Sequence, residues 1–180
     1  GVPIDKLICA SNDNKVLYDF FKTGVYDKNR PFILTSSPSM DILISSNLER
    51  LIYLSTGCDA EETKKRMEEL SKDGKYSVTD KMRARMADFV GGYADQAANA
   101  AEIKRLYDET GYMIDTHTGV ASCVYHNYVK ETGDTKKTVI ASTASPYKFS
   151  RSVMEAIFGS EEGKGEFELI DELHGVFPSW

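Results

Sequence analysis

Small hydroxyl residues follow a short apolar run in the stretch TVIASTASPYKF (Thr138–Phe149). Val139–Ala141 is typical of a buried strand, and Pro146 falls in the first turn of the next predicted helix, where proline is tolerated. Ligands of parallel α/β proteins bind beyond the carboxyl ends of strands, where a helix N-terminus offers N–H groups without partners. The stretch therefore predicts a site for an anion or a polar ligand, with a purely structural junction as the alternative.

Two further polar clusters end predicted strands in the same way. They are SNDN (Ser11–Asn14) and DTHT (Asp115–Thr118), and STASP (Ser142–Pro146) is the third such cluster. If the strands are parallel, the three clusters lie at one edge of the sheet, which favours a shared ligand site. The competing interpretation is that these residues simply cap helices, since Ser, Thr, Asn and Asp are preferred N-caps.

Short apolar runs alternate with helical patterns, which predicts an α/β fold with a short parallel, Rossmann-like sheet flanked by helices. The predicted strands are Ile4–Ala10, Phe32–Leu34, Gly111–Ile114 and Lys137–Thr143. Apolar residues spaced by three and four predict a helix from Met40 to Ile52. The stretch from 58 to 110 shows no strand pattern, so we expect an all-helical insertion there.

The composition is that of an ordinary globular domain, with 41% hydrophobic and 28% charged residues. A net charge of −6 disfavours nucleic acid as a partner. No apolar run approaches the roughly 18 residues that span a bilayer, and no secretory signal pattern is present, so no membrane partner is expected. The three cysteines are far apart without a CxxC spacing, which favours reduced thiols in a cytoplasmic protein.

Recognised motifs of several enzyme classes do not occur in the sequence. The chain has no GxGxxG, no GxxxxGK[ST] and no GxSxG. His117 and His126 are nine residues apart, which places them on opposite sides of one helix and disfavours a metal site. These patterns indicate neither a nucleotide cradle, nor a hydrolase triad, nor a metal centre.

Four segments, in one order, resemble a known family. TASPYKF (Thr143–Phe149) closely resembles the TAHPAKF motif of threonine synthases, which are pyridoxal-phosphate (PLP) enzymes of the tryptophan-synthase β-subunit fold. ICASNDNKVL (Ile8–Leu17) is similar to the family's strand and N-x-N helix start. SPSMDILISSNLERL (Ser37–Leu51) and GYMIDTHTGVA (Gly111–Ala121) resemble its SPSMDI…SN(F/L)ER and G-Y-x-x-(D/E)-P-H-(T/A)-A-V-A elements. The resemblance extends over nearly the whole chain.

This resemblance implies that residues 1–180 form part of the large PLP-binding domain of a fold-type-II enzyme. The family converts O-phospho-L-homoserine and water to L-threonine and phosphate. Its S-F-K-D motif, with the Schiff-base lysine, and its Gly-rich G-N-F-G-N phosphate loop do not occur here. Both precede a segment like Gly1-Val2-Pro3-Ile4 in the family, and this chain starts without methionine. We therefore expect a C-terminal part that is inactive alone and whose partner is the missing N-terminal part.

The resemblance implies cofactor-side roles position by position. Thr143 is expected to contact the pyridine nitrogen of PLP, with a helix cap as its alternative role. Thr118 and His117 are expected near the same cofactor, and a capping role stays equally open for Thr118. Ser145 and Thr116 stand where the family often has histidine and proline, so the roles of those two positions do not transfer directly.

Four residues are expected on the substrate side. Asn12 is expected near the ligands, or alternatively as a cap of the helix that starts at Lys15. Ser39 and Asp41 are expected at a helix start near the substrate. Lys148 either attracts the substrate phosphate or pairs with a carboxylate. Catalysis itself is expected to depend on the lysine that this chain lacks.

Two other functions compete with this interpretation. One is a non-catalytic α/β binding or interaction domain that has lost the cofactor machinery. The absence of the S-F-K-D and G-N-F-G-N motifs is equally compatible with that domain and with part of an enzyme. The other is a related fold-type-II lyase such as a threonine dehydratase, which the SPSMDI and DTHTGVA elements disfavour. The retained TASPYKF motif and the start at Gly1 favour part of a threonine synthase.

Overall fold

Two compact units make up the computed structural model, which describes residues 3–176. The first unit contains the chain up to Ile33 together with Asp41–Tyr93, and the second contains Leu34–Met40 and the chain from Ala94 onward. Gly1 and Val2, at the chain start discussed above, lie outside the described residues. Within that described part, no helix has the length and apolar character needed to cross a membrane.

Residues 3–176 are mostly helical and contain four short strands. The strands are β1 Leu7–Ser11, β2 Val25–Asp27, β3 Lys75–Ser77 and β4 Phe89–Tyr93. The helices are α1 Val16–Thr23, α2 Leu48–Thr56, α3 Ala60–Asp73, α4 Asp80–Arg85, α5 Gln96–Thr110, α6 Thr116–Thr132, α7 Ser150–Phe158 and α8 Glu166–Val176. Single 3-10 turns cover Pro38–Met40 and Pro146–Phe149.

In the first unit, β1 and β4 form a parallel pair, which confirms the predicted α/β class with a short parallel sheet. The register runs from Leu7 opposite Phe89 to Ser11 opposite Tyr93. A Cβ atom at Gly91 would lie 3.0 Å from Phe21 Cβ, on α1, so the bare glycine lets the helix pack directly on the strand.

A second, antiparallel pair joins β2 to β3 and lies beside an aromatic core. The rings of Tyr26 and Tyr76 stack with centroids 5.4 Å apart, and Phe20 from α1 meets both of them edge-on. All three side chains are almost fully buried, together with Ile52 from α2. This apolar cluster holds the helices of the first unit against its short strands.

Three of the four predicted strands are wrong. Three runs form no strand, because none of them has a neighbouring strand to pair with among residues 3–176: Phe32–Leu34, Gly111–Ile114 and Lys137–Thr143. Val139, expected to be buried, is 91% exposed. Met113 is buried as expected, but it packs among the helices of the second unit rather than in a sheet.

The predicted all-helical insertion at 58–110 is also wrong. It contains β3 and β4, and the boundary between the two units falls inside it, after Tyr93. The run Phe89–Gly92 fits a helix pattern followed by a glycine break, yet it forms most of β4 because β1 supplies a hydrogen-bonding partner. Tertiary pairing overrides the local pattern here.

The predicted helix from Met40 to Ile52 begins later than expected. α2 starts at Leu48, and the preceding residues are held in a loop by a side chain from β2. The hydroxyl of Tyr26 donates to Leu43 O at 2.9 Å and accepts the backbone N–H of Ser45 at 2.8 Å. Both backbone groups are thereby diverted from helical hydrogen bonding.

In the second unit, α5 packs against α6 around a buried carboxylate. Glu102 is 7% exposed and accepts two hydrogen bonds from the Arg105 guanidinium, at 2.8 and 2.9 Å. Ser122 Oγ, on α6, donates to the same carboxylate at 2.6 Å. Burial alone would raise the pKa of Glu102, but the hydrogen bonds from Arg105 and Ser122, with nearby His126, hold that pKa below its ordinary value.

Replacing Glu102 with glutamine should therefore destabilise the chain in a pH-dependent way. A carboxyl whose folded pKa is lowered contributes stability above its unfolded pKa of about 4.3, and that contribution is lost as the pH falls through the folded pKa. We expect Glu102→Gln to lower the free energy of unfolding by about 2–4 kcal/mol at pH 7. The deficit should shrink below about pH 4 in urea titrations.

Glu109→Gln is the matched control, because Glu109 pairs with the same Arg105 but its side chain is 58% exposed. Its effect on the free energy of unfolding should stay within about 0.5 kcal/mol. Equal losses for the two variants, or a Glu102→Gln deficit that does not change with pH, would contradict the assigned role of the buried carboxylate.

Candidate active site

The start of α6 is capped by Asp115, whose side chain is fully buried. Asp115 Oδ1 accepts the backbone N–H of His117 at 2.8 Å and that of Thr118 at 3.4 Å. These bonds satisfy two of the N–H groups that a helix start leaves without intrahelical partners. A buried carboxylate also needs donors for its remaining lone pairs, and the side chains of the same two residues supply them.

His117 links Asp115 to Ser39 through its two ring nitrogens. Nδ1 lies 3.0 Å from Asp115 Oδ1, and Nε2 lies 3.2 Å from the backbone nitrogen of Ser39. A backbone N–H can only donate, so Nε2 accepts from Ser39 and the ring proton resides on Nδ1, from which it points to Asp115. The ring also packs on Phe149, with centroids 4.7 Å apart.

Thr118 links the same carboxylate to the hydroxyl-rich segment after Lys137. Its hydroxyl donates to Asp115 Oδ2 and lies 2.9 Å from Ser142 Oγ. Because the single hydroxyl proton of Thr118 goes to Asp115, Ser142 is the donor in the second contact. Two of the three predicted polar clusters, DTHT and STASP, are thus brought together in the second unit, while SNDN belongs to the first.

Thr143, the predicted pyridine-nitrogen contact, has an exposed side chain that makes no hydrogen bond to any residue in the described range 3–176. Its alternative role as a helix cap is wrong, because Ser145 caps the following turn by accepting the backbone N–H of Tyr147 at 3.3 Å. The Thr143 hydroxyl is therefore available to a ligand, and a neutral hydroxyl is chemically suited to a ring nitrogen.

Thr116, the other departure from the family pattern, and Lys148, a predicted substrate-side residue, lie at two different helix starts. Thr116 is the first residue of α6, a position where proline is also tolerated, so a threonine there leaves the helix start intact. Lys148 is exposed, with its ammonium 5.4 Å from the centroid of the Phe149 ring. The carboxylate partner considered for Lys148 is not found among residues 3–176.

In the first unit, two predicted substrate-side residues bind each other. Asn12 Nδ2 donates to Asp41 Oδ1 at 2.7 Å, and Asn14 Nδ2 donates to the same oxygen at 3.0 Å. Asn12 Oδ1 accepts the backbone N–H of Asn14 at 2.9 Å, so Asn12 shapes the turn before α1 rather than capping at Lys15. Asp41 lies in a loop, and Ser39 in a 3-10 turn, so their predicted place at a helix start is wrong.

Two residues of these networks were missed as site residues by sequence reasoning. For Asp115 the sequence predicts a place in the DTHT cluster or a helix cap, but no contact with the side chains of His117 and Thr118. Asn14 was overlooked, although its N-x-N spacing from Asn12 places both amides where one carboxylate can meet them. Within residues 3–176, no three His, Cys, Asp or Glu side chains come close enough to hold a metal ion.

The cysteine thiols lie apart from these networks. Burial raises the pKa of Cys9 to about 11, and burial, followed by the charge of Glu102, raises the pKa of Cys123. Both thiols are therefore weak nucleophiles at neutral pH. Cys58 is exposed and directly follows the C-terminal glycine of α2.

Comparison with known proteins shows the same relatives by sequence and by structure. A family model described as the C-terminal region of threonine synthase matches residues 118–178. The crystal structure of threonine synthase from yeast superposes with a TM-score of 0.83 and 30% identity, over 97% of this chain and 38% of that one. PLP-bound threonine synthase from Brucella melitensis gives a TM-score of 0.78 and 32% identity, over 95% and 36%.

The chain is similar to threonine synthases over nearly its whole length. Human threonine synthase-like 1 is also similar, with 37% identity over 159 residues, which are 87% of this chain and 21% of that protein. The chain therefore spans between about a fifth and two-fifths of the length of these threonine synthase relatives. The solved structures also confirm that the α/β arrangement is that of fold-type-II PLP enzymes.

The capped start of α6 depends on a close approach between α5 and α6. A Cβ atom placed on Gly119 would lie 2.3 Å from Asn99 Oδ1 and 2.8 Å from Ile103 Cγ1, and both of these α5 side chains are buried. Gly119 directly follows Thr118, so any displacement there reaches the Asp115 network.

We expect Gly119→Ala to destabilise the chain, because overpacking a tight helix contact costs about 1–3 kcal/mol and exceeds the gain in helix propensity. Gly175→Ala, near the end of α8, is the control, since no atom lies within 4 Å of its added Cβ. That variant should unfold at the same or a slightly higher urea concentration than the parent chain. Equal midpoints for the two alanine variants would contradict the close approach of α5 and α6.

Proposed function

We propose that this chain forms part of a PLP-dependent threonine synthase that converts O-phospho-L-homoserine and water to L-threonine and phosphate. The observation that carries the proposal is the likeness, over nearly the whole chain, to a threonine synthase described as PLP-bound. The parent protein would then be a lyase of threonine biosynthesis, located in the cytoplasm.

The hydroxyl cluster of the second unit suits one wall of a PLP site. We assign Thr143 to the pyridine nitrogen, because its hydroxyl is exposed and is not engaged by any described residue. When bound, PLP supplies the electron sink that stabilises charge at the substrate carbons. An uncharged threonine contact orients the ring without fixing a proton on its nitrogen, as a carboxylate would. Thr118 contributes through its contact with Ser142, next to Thr143.

On the substrate side, Lys148 presents an exposed cation, which suits attraction of the substrate phosphate. Asn12 and Asp41 share a hydrogen bond, so a substitution of either one also disturbs the other. The backbone of Ser39 is held by the bond from its N–H to His117 Nε2. We propose that each of these four residues is a substrate-binding position, and each assignment is independent of the other three.

The chain holds neither the S-F-K-D lysine nor the G-N-F-G-N phosphate loop. We propose that a preceding part of the parent protein supplies both, and that the 180 residues alone are inactive. Proton transfer at the substrate carbons then depends on the lysine of that part. The competing non-catalytic interpretation predicts that no such part exists.

The decisive experiment assays the protein encoded by the complete open reading frame for phosphate release from O-phospho-L-homoserine in the presence of PLP. We expect activity, and we expect Thr143→Val to lower kcat/KM about tenfold because one neutral hydrogen bond is lost. Thr143→Ser, which keeps the hydroxyl, should retain most of the activity. The 180-residue chain alone should release no phosphate.

Thr138→Val is the matched control, since Thr138 has an exposed hydroxyl in the same segment that donates to the backbone oxygen of Lys136. Its kcat/KM should stay within about twofold of the parent value. An inactive complete protein that carries neither motif would establish the non-catalytic alternative. An active protein that is insensitive to Thr143→Val would remove Thr143 from the cofactor site.

A further inference from the structure

We propose that Asp115 is a positioning residue whose two carboxylate oxygens fix two separate segments of the second unit. Through His117, Oδ1 holds Ser39 in the Leu34–Met40 segment, whose Ser36 is bonded separately to Gln96 and Asn99 of α5. Through Thr118, Oδ2 holds the segment from Val139 to Ala144, which carries Thr143. The significance of these segments for substrate and cofactor rests on the proposed function, whereas the positioning itself does not.

The Oδ1 branch is a chain of two hydrogen bonds. His117 Nδ1–H donates to Asp115 Oδ1 at 3.0 Å, and Nε2 accepts the backbone N–H of Ser39 at 3.2 Å. The carboxylate selects the tautomer, because a donor at Nδ1 leaves Nε2 with the lone pair that Ser39 requires. The His117 side chain is 7% exposed, so water competes poorly for either bond.

The Oδ2 branch passes through two hydroxyl groups. Thr118 Oγ1 donates to Asp115 Oδ2, and Ser142 Oγ donates to Thr118 Oγ1 across 2.9 Å. Within residues 3–176, the bond between Ser142 and Thr118 is the hydrogen bond that connects the stretch 139–144 to a secondary-structure element, α6. The position of Thr143, the next residue after Ser142, therefore depends on this branch.

Comparison with the other aspartate caps of the chain shows that Asp115 exceeds the requirement of a helix cap. Asp95 caps α5 by accepting the backbone N–H of Ala98 at 2.8 Å, and Asp59 caps α3 by accepting that of Glu62 at 3.0 Å. Both of those aspartates are exposed, whereas Asp115 is fully buried. One oxygen suffices for a cap, so the second oxygen of Asp115 serves Thr118.

This difference makes serine an informative substitution. Serine is as good an N-cap as aspartate, so Asp115→Ser preserves the helix start. The single hydroxyl oxygen of serine lies closer to the backbone, so it cannot bond His117 Nδ1 and Thr118 Oγ1 at the same time. Asp95→Ser is the matched control, because it makes the same change at a cap that has no second branch. Asp115→Asn is the conservative variant, since an amide keeps the shape and two polar atoms.

The experiment measures backbone ¹⁵N order parameters of Ser39 and Thr143 in the 180-residue chain. In the parent chain both amides should be ordered, with order parameters of about 0.85. Asp115→Ser should lower both values below about 0.6, while Asp95→Ser changes neither. Asp115→Asn should restore both values, because its Oδ1 still accepts from His117 while its Nδ2 donates to Thr118 Oγ1, whose proton then turns to Ser142. No cofactor or substrate is needed, so the outcome is separate from that of the activity assay.

Thr118→Val tests one branch alone and keeps the test decisive if Asp115→Ser does not fold. Valine has nearly the same shape as threonine but lacks the hydroxyl, so it breaks the Oδ2 branch and leaves His117 in place. The order parameter of Thr143 should fall and that of Ser39 should not. Unchanged values at both residues, or an equal loss at both, would overturn the two-branch assignment.

Discussion

A helix that starts inside a protein has to find partners for its first N–H groups, and at α6 that partner is a carboxylate that is itself buried. Because Asp115 is fully buried, water does not hydrogen-bond to either of its oxygens, and the neighbouring polar groups have to donate to them instead. His117 and Thr118 each donate to it and each then reach a further segment. The need of one buried carboxylate for hydrogen-bond donors thereby determines where His117, Thr118 and the segments bonded to them lie.

Close packing between α5 and α6 makes this arrangement possible. Gly119 allows the two helices to approach, and Ser122 on α6 then reaches the buried Glu102 on α5. Glu102 keeps its charge because Arg105 and Ser122 surround it with donors, which lower its pKa despite burial. The hydrogen bonds of the buried polar groups and the helix packing therefore support each other, and Thr143 directly follows Ser142, which is bonded to α6.

Local signals in the sequence predict several helices and their caps, but not the start of α2 or most of the strands. Asp59 and Thr79 cap α3 and α4 where their residue types predict it, since a cap needs only nearby backbone. A strand depends on a partner elsewhere in the chain, so Val139 is exposed although its run looks buried, and Phe89 pairs with β1 although its run looks helical. The hydroxyl clusters were visible in the sequence. Their connection through Asp115 was not, because it depends on the tertiary contact of Thr118 with Ser142.

The tautomer of His117 tests the central role of the Asp115 carboxylate most directly. The chain has three histidines, so two-bond ¹H–¹⁵N correlation spectra of the imidazole rings can be assigned with His126→Gln and His174→Gln variants. Near neutral pH, the account predicts that His117 carries its proton on Nδ1 and has an unprotonated Nε2 that accepts from Ser39. A His117 ring with its proton on Nε2 could not accept that bond and would contradict the account.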